Sequence, residues 1–240
     1  MIIEICANSV ESALNAEKGG ASRIELCGEL EVGGITPSYG VLKGVVAQLE
    51  IPVFVLIRPR SGNFTYSDEE FEVMKEDILL CKKIGCSGIV SGVLNNDNTL
   101  DFKRTQELVE LAKPLSFTFH RAFDWIPNPE EAIQQIIEMG CDRILTSGQA
   151  NKAADGLPLL VKLQQEYKDK IKIMPGSGVN IDNVKAFKKE GFSEIHFSAS
   201  KLYKNVFVAA PISFNGNAFD ESFVRKSDSS IVQQMVDNVK

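Results

Sequence analysis

"RIELC", residues 23–27, is the stretch on which the fold turns, and "IIEIC", residues 2–6, repeats its pattern. Each carries a glutamate and a cysteine two positions apart, Glu25 with Cys27 and Glu4 with Cys6. Side chains two apart on a strand share a face. Both segments therefore show a carboxylate and a thiol on one side, and aliphatic residues (Ile3, Ile5; Ile24, Leu26) on the other. Such strands need an apolar layer over one face and surroundings that accept charge on the other.

Similar runs recur along the chain. VFVLI (53–57), GIVS (88–91), LSFTFH (115–120), DRILT (142–146), IKIM (171–174) and EIHFS (194–198) bring the expected strands to eight. Stretches of helical period separate them, punctuated by Ser9 and Gly19-Gly20, by Asp68 and Gly85, by Pro129 and Gly140, and by Asn180 and Gly191. The rhythm predicts an α/β protein, a TIM-like (β/α)8 barrel over residues 1–200. A doubly wound sheet would open with a glycine-rich turn after the first strand, where Ala7-Asn8-Ser9 stands instead. Residues 201–240 read as an extension ending in a helix, "SDSSIVQQMVDNVK" (227–240). Its stripe of Ile231, Met235 and Val239 is expected to pack on the barrel or at a subunit interface.

Composition narrows the function classes. The 240 residues are 44% hydrophobic and carry a formal net charge of −6, without a basic run. Nucleic-acid binding is not expected. No apolar stretch reaches membrane-spanning length, and Met1 leads directly into a strand-like run, so a cytoplasmic location is expected. The five cysteines are odd in number and lack a C-x-x-C pair. That argues for reduced thiols and against a zinc ribbon or thioredoxin-type pair, with Cys81 and Cys86 as inert small hydrophobes.

In a barrel, the aliphatic strand faces meet the helices and the others point inward. Sorting by alternation sends Glu4, Cys6, Glu25, Cys27, Ser116, Thr118, His120, Glu194, His196 and Ser198 into the lumen, with Arg58 and Arg60 at the upper end of the third strand. The fourth, sixth and seventh strands do not sort. Burying a bare charge costs several kcal/mol, so Glu4, Glu25 and Glu194 are expected to pair with Arg58 and Arg60, and with Arg121 or Arg143. Cys6, Cys27, Arg58, Arg60, His120, Thr146 and Ser198 fall at strand C-termini, the rim where barrel active sites lie. The polar loop "RPRSGNFTYSDEE" (58–70) has the make-up of a lid.

These segments resemble the CutC family. "SVESALNAEKGGASRIELC" (9–27), "EVGGITPSYGVLK" (31–43), "IRPRSGNFTYSDEE" (57–70), "FTFHRAFD" (117–124), "RILTSG" (143–148) and "MPGSGV" (174–179) follow its pattern in order, over residues 1 to about 200. The resemblance implies a TIM-like barrel, a role in copper homeostasis in the cytoplasm, and Cu(I) binding by two strand-end cysteines matching Cys6 and Cys27.

Residue chemistry keeps other functions in view. Soft thiolates select Cu(I), and strands ~4.8 Å apart bring two sulfurs within reach of one ion, whereas staggering of inward layers would separate them. Nearby arginines would lower the thiol pKa values, and Glu4 and Glu25 would raise them. An enzyme of isomerase or lyase type would instead use Glu25 and His120 as acid–base partners and Arg58 as an oxyanion clamp. Gly176, Ser177 and Gly178, with Ser198, would hold the phosphate or carboxylate of a small anionic ligand at the start of a helix capped by Asn180. Lys172 sits low in its strand, which disfavours a Schiff base. Glu25, His120, Glu194 and His196 form a possible set for a hard divalent metal. The third reading is a non-catalytic homo-oligomeric binding protein.

Overall fold

The computed structural model of the protein describes residues 1–205, 212 and 220–240. Eight parallel strands follow the apolar runs: β1 (Ile2–Ala7), β2 (Arg23–Leu26), β3 (Val53–Leu56), β4 (Gly88–Ser91), β5 (Ser116–Phe119), β6 (Arg143–Thr146), β7 (Lys172–Pro175) and β8 (Glu194–Phe197). They are ordered β7-β6-β5-β4-β3-β2-β1-β8, and β8 packs back against β7. The strands thus circle a lumen in chain order, as a (β/α)8 barrel does. Seven helices cover the outside: α1 (Val10–Lys18), α2 (Tyr39–Val46), α3 (Asp68–Ile84), α4 (Phe102–Ala112), α5 (Pro129–Glu138), α6 (Leu157–Tyr167) and α7 (Val184–Lys189).

Local chemistry sets the helix ends. The Ser9 hydroxyl accepts from the Ser12 N–H at 3.1 Å and starts α1. Ser67 and Glu70 form a reciprocal capping box at α3, and Gly85 ends that helix in the left-handed region. At α7 the expected cap is displaced. Asn180 closes a turn by accepting from Asp182 and Asn183 N–H, and the helix proper begins at Val184.

The core has two parts of opposite character. Ile3, Ile5, Ile24, Val55, Ile89, Phe117, Phe119, Ile144, Ile173 and Ile195 are buried between sheet and helices. Each such side chain contributes about 1.5–3 kcal/mol on burial, so this jacket supplies the main drive to fold. Inside the barrel a small apolar cluster of Cys6, Cys27, Phe54, Leu56 and Val90 shares the lumen with buried charge.

Beyond the barrel, β9 (Ser200–Lys204) and β10 (Phe223–Ser227) pair antiparallel. Residues 206–211 and 213–219 of the expected extension lie outside the described residues. The ribbon is held to α1 by Asn15 donating to Ser227 O at 3.0 Å and Ser227 N donating to the Ser12 hydroxyl at 3.1 Å. The last helix, α8 (Ser229–Val239), packs on α1 and α7. Its buried face is Val232, Met235 and Val239, with Ile231 half-buried at the edge.

Candidate metal centre and adjoining cavity

The lumen is built in two storeys. In the lower one, Glu4 lies opposite Arg23 and His196 in the register of β1 with β2 and β8. Arg23 bridges Glu4 and Glu194, reaching Glu194 Oε2 at 2.5 Å. Arg143 donates to Glu194 at 3.1 Å and to the Thr118 hydroxyl at 3.1 Å. Both guanidinium groups stack on Phe54, with ring centroids 5.0 and 4.9 Å away. Two carboxylates and two guanidinium groups balance, so the buried charge is compensated rather than bare.

The expected partners of those carboxylates need correction. Arg60 lies outside the lumen, bound to Glu70 at 2.6 Å, and Arg121 pairs with Asp124 at 2.8 Å. Arg58 sits at the upper rim, where its guanidinium donates to the carbonyls of Val32, Gly34 and Gly62 at 3.0, 2.7 and 2.7 Å. Of the four arginines expected, Arg143 alone reaches a lumen carboxylate among the described residues. Arg23 does the rest. Its position in "RIELC" gives it the same strand parity as Glu25, which is the signal that identifies it.

The upper storey holds the thiols. In the register of β1 and β2, Cys6 faces Glu25, and its thiol lies 3.6 Å from Glu25 Oε1 and 3.6 Å from Cys27 Sγ. Sharing of hydrogen with Cys27, then burial, push the Cys6 thiol well above its usual range. Cys27 is fully covered by the loop after β2. There Gly34 adopts φ +86°, and an added Cβ would lie 2.7 Å from Leu56 Cδ2 and 3.2 Å from Cys27 Cβ. Only glycine fits so close.

His196 completes the group. Its Nδ1 is 2.8 Å from Glu4 Oε1, leaving the other ring nitrogen for the upper storey. Donor atoms of Cys6, Glu25 and His196 all lie within 4.8 Å of one another. A carboxylate that fixes the far side of a histidine is the usual way to orient a metal ligand. Burial would lift the Glu4 carboxyl, but the hydrogen bond with His196 and the Arg23 charge outweigh it and hold it at about 2. Burial first of all raises Glu25 to about 7. Burial would lower His196, but the Glu25 charge and the Glu4 bond raise it. The divalent set of Glu25, His120, Glu194 and His196 is not brought together: Glu194 belongs to the lower storey, and the cluster that forms contains Cys6 instead.

A cavity of about 290 Å³ opens above these groups, bordered by Glu25, Arg58, His120, Ser177, His196 and Ser198. The three residues expected to do catalysis therefore share one space. His120 Nδ1 accepts from the Ala122 N–H at 3.3 Å, and burial, then the Arg58 charge, lower its pKa to about 3. Of the expected anion-binding residues, Gly176 N–H donates to Thr146 O at 3.0 Å within the sheet. Ser177 and Gly178 border the cavity in left-handed conformations, with the Ser177 hydroxyl donating to Asn151 O at 2.9 Å. The helix that follows this loop, α7, starts at Val184, past the expected cap Asn180, and is six residues long. Ser198, just past the neighbouring strand β8, donates from Oγ to Ser200 Oγ at 3.0 Å.

Asp124 was not expected to matter. Its buried carboxylate accepts from the Thr146 hydroxyl at 2.5 Å, from Ser147 N–H at 3.0 Å and from Arg121, tying the loops after β5 and β6 together. That role rests on loop proximity across the barrel top, for which strand alternation carries no signal.

The comparisons agree with this architecture. The model of the CutC family matches residues 1–201. A human protein named copper homeostasis protein cutC homolog is 47% identical over 199 residues, which span 82% of this chain and 73% of the relative. A CutC protein of Parabacteroides distasonis is 47% identical over 203 residues, spanning 84% of each. A crystal structure of a CutC protein from Streptococcus agalactiae superposes with a TM-score of 0.78 at 34% identity, covering 82% of this chain and 98% of that one. With its eight-stranded barrel and a match over nearly all of it, the chain belongs to the CutC copper homeostasis family.

Proposed function

We propose that the protein acts in copper homeostasis by holding Cu(I) between Cys6 and Cys27, with His196 as a third donor. The observation that carries this reading is the pair of sulfurs 3.6 Å apart, with the Cys6 thiol within 4.8 Å of an imidazole whose far nitrogen is fixed by Glu4. An ion ~2.3 Å from each sulfur would see them at about 100° rather than in a straight line, which leaves room for one further ligand. Two thiolates and an imidazole are soft enough to favour Cu(I) over Mg²⁺ or Ca²⁺. The cytoplasm, where thiols stay reduced, suits such a site.

Charge bookkeeping supports a pH-dependent affinity. The raised Cys6 thiol is protonated near neutrality, so copper must displace its proton to gain that thiolate. Affinity is therefore expected to rise with pH, and calorimetry in buffers of different ionisation enthalpy should record proton release. The direct test is anaerobic Cu(I) titration against a chromophoric chelator. The parent should take up one ion per chain and the double variant Cys6→Ser, Cys27→Ser none. Stoichiometric uptake by the double variant would remove the ligand assignment.

A further inference from the structure

Four buried side-chain polar atoms have no hydrogen-bond partner among the described residues: Glu25 Oε2, Arg58 Nε, Tyr66 Oη and His120 Nε2. Three of the four belong to side chains bordering the single cavity above the thiols. Buried polar groups are nearly always paired, and each exception calls for an explanation. Three exceptions around one space point to a ligand that completes them.

The chemistry of the three atoms defines that ligand. His120 Nδ1 is occupied as an acceptor from the Ala122 N–H, so the neutral ring carries its proton on Nε2 and offers a donor. Arg58 Nε is a second donor, and the fourth unpaired atom, the Tyr66 hydroxyl, lies beside the same guanidinium. No carboxylate pairs with Arg58 among the described residues, and its terminal nitrogens are taken by backbone carbonyls. Glu25 Oε2 is met by a hydroxyl, which can donate to a carboxylate or accept from a carboxylic acid. Phe64 lies beside both side chains, its ring 5.0 Å from the Arg58 guanidinium and 4.8 Å from the His120 ring, and borders the same cavity.

We propose that this cavity binds a small hydroxylated anion, a hydroxy carboxylate or polyol phosphate monoester, whose anionic group accepts from His120 Nε2–H and Arg58 Nε–H while its hydroxyl meets Glu25 Oε2. The space of about 290 Å³ suits a small molecule. The two donors facing the anionic group, Arg58 and His120, are not among the proposed copper ligands, while Cys6 and His196 border the same cavity, so the binding test is made on the copper-free protein.

The test uses ¹⁵N NMR of the imidazole nitrogens, which is tractable because the chain has only two histidines. Four probes are added in turn to the full-length protein: glycolate, acetate, glycerol 3-phosphate and inorganic phosphate. The expected result is a saturable shift of His120 Nε2 with glycolate or glycerol 3-phosphate, whichever anion the site takes. The member of that pair that carries an alcohol should bind about tenfold more tightly than its counterpart without one. His120→Asn keeps an acceptor near the Nδ1 position for Ala122 and has nothing at Nε2. It should bind the same probe at least about tenfold more weakly. The proposal is overturned if no probe moves His120 at millimolar concentration, if the anions without an alcohol bind equally well, or if the folded Asn variant binds like the parent.

Discussion

Glu4 shows how much one buried side chain can organise. It accepts from Arg23 below and orients His196 beside it while fully buried. Its carboxyl titrates near 4.5 in an unfolded chain and at about 2 in the fold. A depressed pKa gives stability that is present above the unfolded value and lost as pH falls through the folded one. Glu4→Gln should therefore cost about 3 kcal/mol at neutral pH. It should also flatten the loss of stability between pH 4.5 and about 2, as read by urea denaturation across pH. Glu25 has the opposite sign. Its folded carboxyl is raised from 4.5 to about 7, so its contribution is present below 4.5 and lost as pH rises through about 7. Glu25→Gln should make the protein more stable than the parent above pH 7, with the gap closing toward pH 4.5. The same variant should lower the His196 titration midpoint in a ¹H NMR series, because the Glu25 charge is what chiefly opposes the lowering by burial. The parity of "RIELC" and "IIEIC" made the positions of Glu4, Glu25 and both thiols legible from sequence. Arg23 was equally legible and lay in the same stretch.

At the scale of elements, alternation is informative only while the chain stays in the sheet. β3 ends at Leu56, so the inward setting expected of Arg60 had no basis once the backbone left the ladder, and the side chain turned to Glu70. Arg58, just past the strand end, became a staple for the loops after β2 and β3. Helix ends were legible where a cap and a hydrophobic period coincided, as at Ser9 or Pro129. At Asn180 a side-chain turn competed with the helix, and the start moved to Val184. The junction of α1 with α8 supplies a further prediction. A Cβ on Gly19 would lie 2.5 Å from Val232 Cβ and 2.6 Å from Ser229 O. Gly19→Ala should destabilise by about 1–3 kcal/mol through overpacking, and hydrogen exchange should speed up first in residues 229–239. Uniform protection across that helix would argue against the close contact.

For the molecule as a whole, an apolar jacket holds the barrel together and frees the lumen for charge and chemistry. The jacket was readable from the aliphatic faces of the strands that sort by alternation, the first, second, fifth and eighth. The separation of the thiols was not, because the span between Cys6 and Cys27 depends on strand stagger and on where the loop after β2 folds over Cys27. That stagger leaves the sulfurs 3.6 Å apart, close enough for one ion, and settles the spacing that sequence left open. The pairing of a thiol layer with a neutralised ionic layer explains why buried carboxylates sit so near two cysteines: Arg23 and Arg143 compensate Glu4 and Glu194, and Glu4 is spared to position His196. The most direct measurement is copper K-edge X-ray absorption on the anaerobic Cu(I)-loaded protein. The account predicts two sulfur neighbours at about 2.3 Å and one imidazole nitrogen, with the nitrogen signature lost in His196→Gln. A first shell of nitrogen and oxygen alone would contradict it.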